Sequence, residues 1–374
     1  MNNYDVVVVG AGLTGSALSY ELAKQKFKVL LVEKNLNFDN ATAYSYGGIA
    51  HWCGTNDFTN KLCEEGLNIH RNLTAELGSE TEFREIDLLF TIPAPSTPTE
   101  VAKNYQHFRL TPELLDIKNS CELEPLLNPE SISGCLRLPH GHVNPLKTIL
   151  AYQNAYKQLG GEIVEQTFIS TVKKEDKITG IITDKNKYSA SKIIICAGAH
   201  SRQILAEMGI KLPLYFTHAQ LIKTKPSHIK LRTLVMPSTT ARFLLEKDVT
   251  ALGKNSLWEN PTNELQGEVL EPGAIQFLDG SFCLGQISQI ITNISAPVHS
   301  TVSEQKIREG VEHYLPLLGL LEGRWYNCQV AFTTGMPFQV KELKEGLAIF
   351  SGFTSPFLFV PPLAKRFARD LRQS

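Results

Sequence analysis

Two hydrophobic rhythms alternate along this 374-residue chain. Val6 to Val9 is an unbroken β-branched run stopped by glycine, the pattern of a strand buried on both faces. From Gly15 onward the apolar residues Leu18, Leu22 and Ala23 recur at helical spacing, and the basic stretch from Lys24 to Lys28 closes that helix. Residues 28–32 form a second apolar strand. Strand, glycine turn, helix and strand in about thirty residues make a βαβ unit.

The rhythm then lapses and returns. Residues 40–54 are small and polar; a helix is predicted over 57–77, a strand over 83–92 and a Pro/Thr-rich linker over 93–99. Beyond Pro145 the pattern predicts a helix over 146–159, a strand over 162–167 and a three-stranded meander over 168–174, 178–183 and 187–190. A separate buried strand is expected at 192–196, leading into Ala197-Gly198-Ala199-His200-Ser201 and a helix to Met208. Further strands are expected at 214–224, 241–245 and 274–284, the last with a turn at Asp279-Gly280. An amphipathic helix over 303–318 and a final apolar strand over 346–350 complete the reading. The fold class is α/β: a Rossmann-like dinucleotide-binding domain from discontinuous segments, 1–82, 143–212 and 325–374, with a sheet-rich α+β substrate domain from 83–142 and 213–324.

Composition narrows the function. Hydrophobic residues at 43% and charged residues at 20% describe an ordinary globular chain. A formal net charge of −1, without a basic run interleaved with aromatics, excludes nucleic acid as the expected partner. Residues 346–364 carry no charge, but Gly352, Pro356, Pro361 and Pro362 would break a membrane-spanning helix. The first strand begins by about Asp5, which leaves no room for a signal peptide. Seven scattered cysteines, none in a CxxC pair, suit free thiols in a reducing compartment, so a cytoplasmic location is expected. The partner expected is a small-molecule substrate, and a homo-oligomer is compatible with the sequence.

The glycines of the first unit have separate tasks. Gly10 makes the tight turn, Gly12 lets backbone approach a pyrophosphate, and Gly15 permits close helix packing. The pyrophosphate is expected at the helix N-terminus, where free N–H groups and the dipole favour an anion. Glu33, ending the second strand, can accept hydrogen bonds from a ribose diol and disfavours a 2′-phosphate, which leaves NAD or FAD.

The order of five stretches decides between them: Gly10 to Gly15 with Glu33, Gly47-Gly48-Ile49, His142-Val-Asn-Pro145, Ile193 to Ser201, and Gly346 to Gly352 before an apolar helix. Together they make the chain resemble the FAD-dependent oxidoreductases of the D-amino-acid oxidase type, the group of glycine oxidase and sarcosine oxidase. The resemblance implies FAD, with Gly47 and Gly48 beside the flavin, the Val172 backbone at the adenine, Ala197 and Gly198 along the dinucleotide, and Gly352 over the pyrimidine edge. Covalent members use a late cysteine, and none follows Cys328, so FAD is expected to bind noncovalently. The implied reaction moves a hydride from a C–H beside nitrogen to flavin N5, with oxygen or another acceptor reoxidising the flavin.

Two departures stand out. The family's carboxylate-binding arginine is missing from the corresponding stretch, Gln329 to Pro337, and Gly352-Phe-Thr-Ser-Pro356 lacks the family's second glycine. Arg242, on a predicted strand, is the best replacement for that arginine; His218 and Gln220 are further candidates to face the substrate. His51, close after the glycine pair, could tune the flavin or take a substrate proton, or serve only as a structural histidine. His140 and His142 lack a third ligand, so no metal site is expected. The function expected is oxidation of a small amine or amino acid. The alternatives are an FAD-dependent dehydrogenase of a 2-hydroxy acid or polyol, and a flavoprotein with a non-catalytic role.

Overall fold

A computed structural model describes residues 3–373. The opening unit forms as its pattern predicts, with strand Asn3–Val9, helix Leu13–Lys24 and strand Val29–Glu33. The two strands pair in parallel, Val6 opposite Val29 through Val9 opposite Val32, and both faces are covered, which explains their continuous apolar runs: helices pack on one face, and Ile178, Ile181 and Tyr188 of an antiparallel strand meander, with Leu205, on the other. The chain then returns to this sheet from far away. Strand Lys187–Ile195 pairs in parallel with the other edge of the first strand, Leu347–Ser351 pairs beyond it, and Glu162–Glu165 pairs outside Val29–Glu33.

A second, nine-stranded sheet stands against this one, running Gly323–Thr333, Leu214–Thr224, Phe282–Ile291, Leu265–Gln276, Leu234–Pro237, Arg84–Pro93, Ile132–His142 and Gly48–Ile49 in spatial order, with Glu113–Leu115 pairing on the side. Helix Ser300–Tyr314 packs Ile307 and Val311 into the core of its outer face. The C-terminal helix Pro356–Gln373 buries Phe357 to Ala364 against the core of the first unit and against helix Asp57–Leu77, the helix predicted at those same bounds. No helix among the described residues is long and apolar enough to cross a membrane.

Four expectations change. Residues 187–190 and 192–196 are not two strands but one, Lys187–Ile195, whose first half pairs antiparallel with Ile182 to Gly180 while its second half enters the parallel sheet. Residues 241–245 form not a strand but the start of helix Ala241–Val249, since a short apolar run carries no period of its own and Arg242 gains a partner one turn on at Glu246. His140 and His142, expected in a loop, end the eleven-residue strand Ile132–His142. Gly323–Thr333 belongs to the second sheet, so the chain crosses back to the first sheet between Thr333 and Gln339, later than the expected boundary at 325. The turn at Asp279-Gly280 does form, and it joins two long strands as a hairpin.

Candidate nucleotide and substrate site

At the carboxyl end of the first strand a cavity of about 470 Å³ opens between the two sheets. This is where an open parallel sheet places a ligand, because strand order reverses about the first strand. The first sheet contributes Val9, Gly10, Gly12, Glu33, Gln166 and Cys196 to His200; Asn327, Cys328 and Gln329 come from the second sheet.

The glycines here are dictated by close contact. Gly10 has φ +105°, and a Cβ on it would lie 2.7 Å from the Cys196 carbonyl oxygen; a Cβ on Gly15 would lie 1.8 Å from the Gly10 oxygen. Helix and strands therefore meet with backbone against backbone. Helix Leu13–Lys24 starts at Gly12 with no side-chain cap and no acid in its first turn. Its first N–H groups thus carry uncompensated positive dipole, the requirement for holding a pyrophosphate. Thr42 reaches in, its Oγ1 accepting from Leu13 N–H at 3.4 Å. Glu33 fixes the turn through Oε2, which accepts from Ala11 N–H at 2.6 Å. At the mouth, Lys34 Nζ donates to His200 Nε2 at 2.9 Å; burial first and the ammonium second push the His200 pKa down to about 4.

Ala197 and Gly198 line the cavity with Gly10, Gly12 and Glu33. The other expected contacts are not in the lining of this cavity. Val172 sits within strand Phe168–Lys174 opposite Gly180, and the nearby residues that line the cavity are Gln166, Thr167 and Phe168. Gly47 and Gly48 are required by contact with protein: a Cβ on Gly47 would lie 2.1 Å from the Val143 oxygen, and one on Gly48 2.7 Å from His140 Nε2. Gly352, outside the cavity lining, leaves room for Thr333 and Leu214.

Arg242 is not free to receive a carboxylate. Its Nε donates to Glu271 at 3.0 Å and its Nη1 to Glu246 at 3.0 Å, both carboxylates being buried. His51 is buried in the turn after Gly48–Ile49, with Nδ1 unpartnered among the described residues; burial first and then Arg109 hold its pKa below the ordinary value. His140 accepts from Trp52 Nε1 at 3.1 Å through Nδ1, and burial lowers its pKa to about 3. Burial, with Arg84 next, lowers His142 equally far. His218 bonds to the Asn293 carbonyl at 3.1 Å, and Gln220 is buried with both amide atoms unpartnered; neither lines the cavity. No group of three or more His, Cys, Asp or Glu gathers to hold a metal among the described residues.

Among the cavity contributors that went unseen in the sequence, two stand out. Thr42 lies in the small, polar stretch after the first unit, and Gln166 is brought to Glu33 only by long-range strand pairing.

Compared with known families, residues 5–369 match the FAD dependent oxidoreductase family. The chain belongs to that family. Members similar to it include 4-methylaminobutanoate oxidase (formaldehyde-forming) of Paenarthrobacter nicotinovorans, 25% identical over 385 residues, 97% of this chain and 43% of that protein. Glycine oxidase of Geobacillus kaustophilus (strain HTA426) is 24% identical over 245 residues, 63% of this chain and 65% of that protein. The alignments thus span from under half to under two thirds of these relatives' own length. The crystal structure of glycine oxidase from Geobacillus kaustophilus superposes with a TM-score of 0.80 at 18% identity, covering 100% of this chain and 95% of the other. The fold is therefore that of the FAD-dependent oxidoreductases, and the cavity fits their cofactor: a glycine turn a Cβ would block, an uncapped helix end for a pyrophosphate, and a carboxylate at the nucleoside end.

Proposed function

We propose that this chain oxidises a small amine or amino acid, with FAD held noncovalently along the cavity. The observation that carries this reading is the continuity of the cavity, from the Gly10–Gly12 turn to Cys328 and Gln329 on the second sheet. It would place one end of a dinucleotide on backbone N–H groups and carry the other toward Asn327, Cys328 and Gln329 of the second sheet. The oxidase names of the relatives support the substrate class. FAD, when bound, supplies a hydride acceptor for a C–H bond beside nitrogen.

The chain's own part is to bind, orient and exclude water. Tyr44 and Tyr326 pack with ring centroids 4.6 Å apart and planes tilted by 33°, and Lys223 Nζ donates to the Ala43 carbonyl, tying the segment before the glycine pair to the second sheet. His51, His140 and His142 are held neutral near pH 7 by burial, so any proton from a substrate amine meets uncharged imidazole or solvent. Arg242 is already balanced by two carboxylates, and no guanidinium lines the cavity. Hydroxy acids and polyols therefore belong in the test panel beside amines. Seven cysteines without a disulfide among the described residues support a cytoplasmic setting.

The test is an absorbance spectrum of the purified protein followed by anaerobic addition of pooled amino acids, secondary amines and hydroxy acids. Flavin bands bleached by the amine or amino-acid pool support the proposal, and denaturation should release all of the flavin. Bleaching by hydroxy acids alone would overturn the substrate class. A colourless protein that takes up no FAD would overturn the cofactor role of the cavity.

A further inference from the structure

Gln166 borders the cavity beside Glu33, to whose carbonyl its backbone N–H donates at 2.8 Å. Its side chain is buried, and Oε1 accepts from Thr183 Oγ1 at 2.6 Å and from the Tyr188 hydroxyl at 3.1 Å. Those two hydroxyls fix which way the carboxamide faces. The Tyr188 oxygen receives Asn186 Nδ2–H at 3.3 Å, and the Thr183 oxygen receives the Asn186 backbone N–H at 2.9 Å. Each accepts an N–H and has a proton to give. Thr183 has an alternative acceptor in the Asn186 carbonyl at 3.0 Å, whereas the Tyr188 proton has only Gln166 among the described residues. An NH₂ group turned toward Tyr188 would leave that buried proton without an acceptor. The oxygen must face inward, which leaves Nε2, without a protein partner among the described residues, for the cavity.

We propose that Gln166 reads the base of the bound dinucleotide, Nε2 donating a hydrogen bond to an unprotonated ring nitrogen of adenine. Val32, Phe168 and Ile204 line the same end of the cavity and supply apolar surface for a flat ring. Glu33, next to Gln166 in the sheet, is at hand for the adjoining sugar. The arrangement selects by chemistry. A fixed donor rewards a base that presents a lone pair and rejects one that presents N–H at that edge. Thr183 and Tyr188 touch no ligand in this scheme; they are positioning residues that hold the amide against rotation.

The inference rests on the cavity holding FAD, and its test separates the two ideas. Protein stripped of flavin is titrated with FAD and with FMN, which lacks the adenosine, while loss of flavin fluorescence is followed. Gln166→Leu and Gln166→Glu should each raise the FAD Kd about tenfold, the worth of one buried hydrogen bond, and leave the FMN Kd unchanged. Thr183→Val, which loosens the amide without removing it, should raise the FAD Kd about threefold. Unchanged FMN binding reports an intact fold in every variant. If Gln166→Glu binds FAD as the natural protein does, the side chain accepts rather than donates and the inference falls. It falls too if Gln166→Leu keeps natural affinity, or if FAD and FMN weaken together. Failure of the unaltered protein to take up either flavin would overturn the FAD reading itself, and this inference with it.

Discussion

The two sides of the cavity are built on opposite principles. On the nucleotide sheet the contacts are backbone: Gly10 against Cys196, Gly15 against Gly10, and a bare helix end. On the side of the second sheet, away from the cavity lining, polar side chains are engaged with one another, as Arg242 of helix Ala241–Val249 is with Glu246 and Glu271, or Trp52 with His140. A backbone cradle tolerates almost no change in its glycines but little cares what surrounds it. A side-chain network can be rebuilt residue by residue, which is how one fold comes to serve different substrates.

Breaking the network at its most charged point gives the largest effect. Arg242→Ala leaves two buried carboxylates facing each other and should destabilise the protein by about 3–5 kcal/mol in denaturant unfolding. Activity per folded, flavin-loaded molecule should keep its substrate preference; selective loss of carboxylate-bearing substrates would restore Arg242 as their partner. Gly15→Ala attacks the backbone side, where a methyl has no space, and should cost about 3 kcal/mol together with loss of bound flavin on purification.

The imidazoles on the second sheet respond to pH. Their folded pKa values of about 3 for His140 and His142 lie below the unfolded value, so between those limits the unfolded chain binds more protons. Their contribution is fully present above the unfolded value and is lost as pH falls, by about 1.4 kcal/mol per pH unit for each ring. A urea midpoint measured from pH 7 to 4 should drop accordingly, and His140→Gln should flatten the slope. Gly12→Ala is the mildest change for the fold, because its Cβ would stand 3.4 Å from Thr42 Oγ1; a stability loss under about 1 kcal/mol with weakened flavin binding is expected. Equal damage from Gly12→Ala and Gly15→Ala would erase the distinction between approach to ligand and approach to protein.

The same division explains what the sequence disclosed. Gly10, Gly12, Gly15 and Glu33 are local: their spacing within one βαβ unit encodes turn, helix end and a terminal acid together, and the structure gathers Gly10, Gly12 and Glu33 on one cavity with Gly15 packed against Gly10. Gln166 carries no such local mark, because its place depends on strand Glu162–Glu165 pairing with Val29–Glu33 across a long stretch of chain. Val172 was expected at the adenine from the family resemblance alone; the residues of that segment that line the cavity lie a few positions earlier, at Gln166 to Phe168. Arg242 failed for another reason. Four or five mixed residues fit a strand or one turn of helix; the helix sets Arg242 against Glu246 one turn on, and the distant Glu271 adds a contact that no local pattern contains. Gly47 and Gly48 were legible as glycines that must be glycine, yet what presses on them is Val143 and His140.

The nucleotide sheet also has a history written into its order. Val9 cannot find Ile195, nor Ile195 find Ile349, until most of the chain has left the ribosome. Parallel pairing across such separations makes closing of the sheet slow, and until it closes the apolar run from Val6 to Val9 has an unpaired edge. A newly made chain is therefore exposed to aggregation until residues 347–351 have emerged and paired, and supplying flavin in the growth medium should raise soluble yield by capturing the sheet once it has formed.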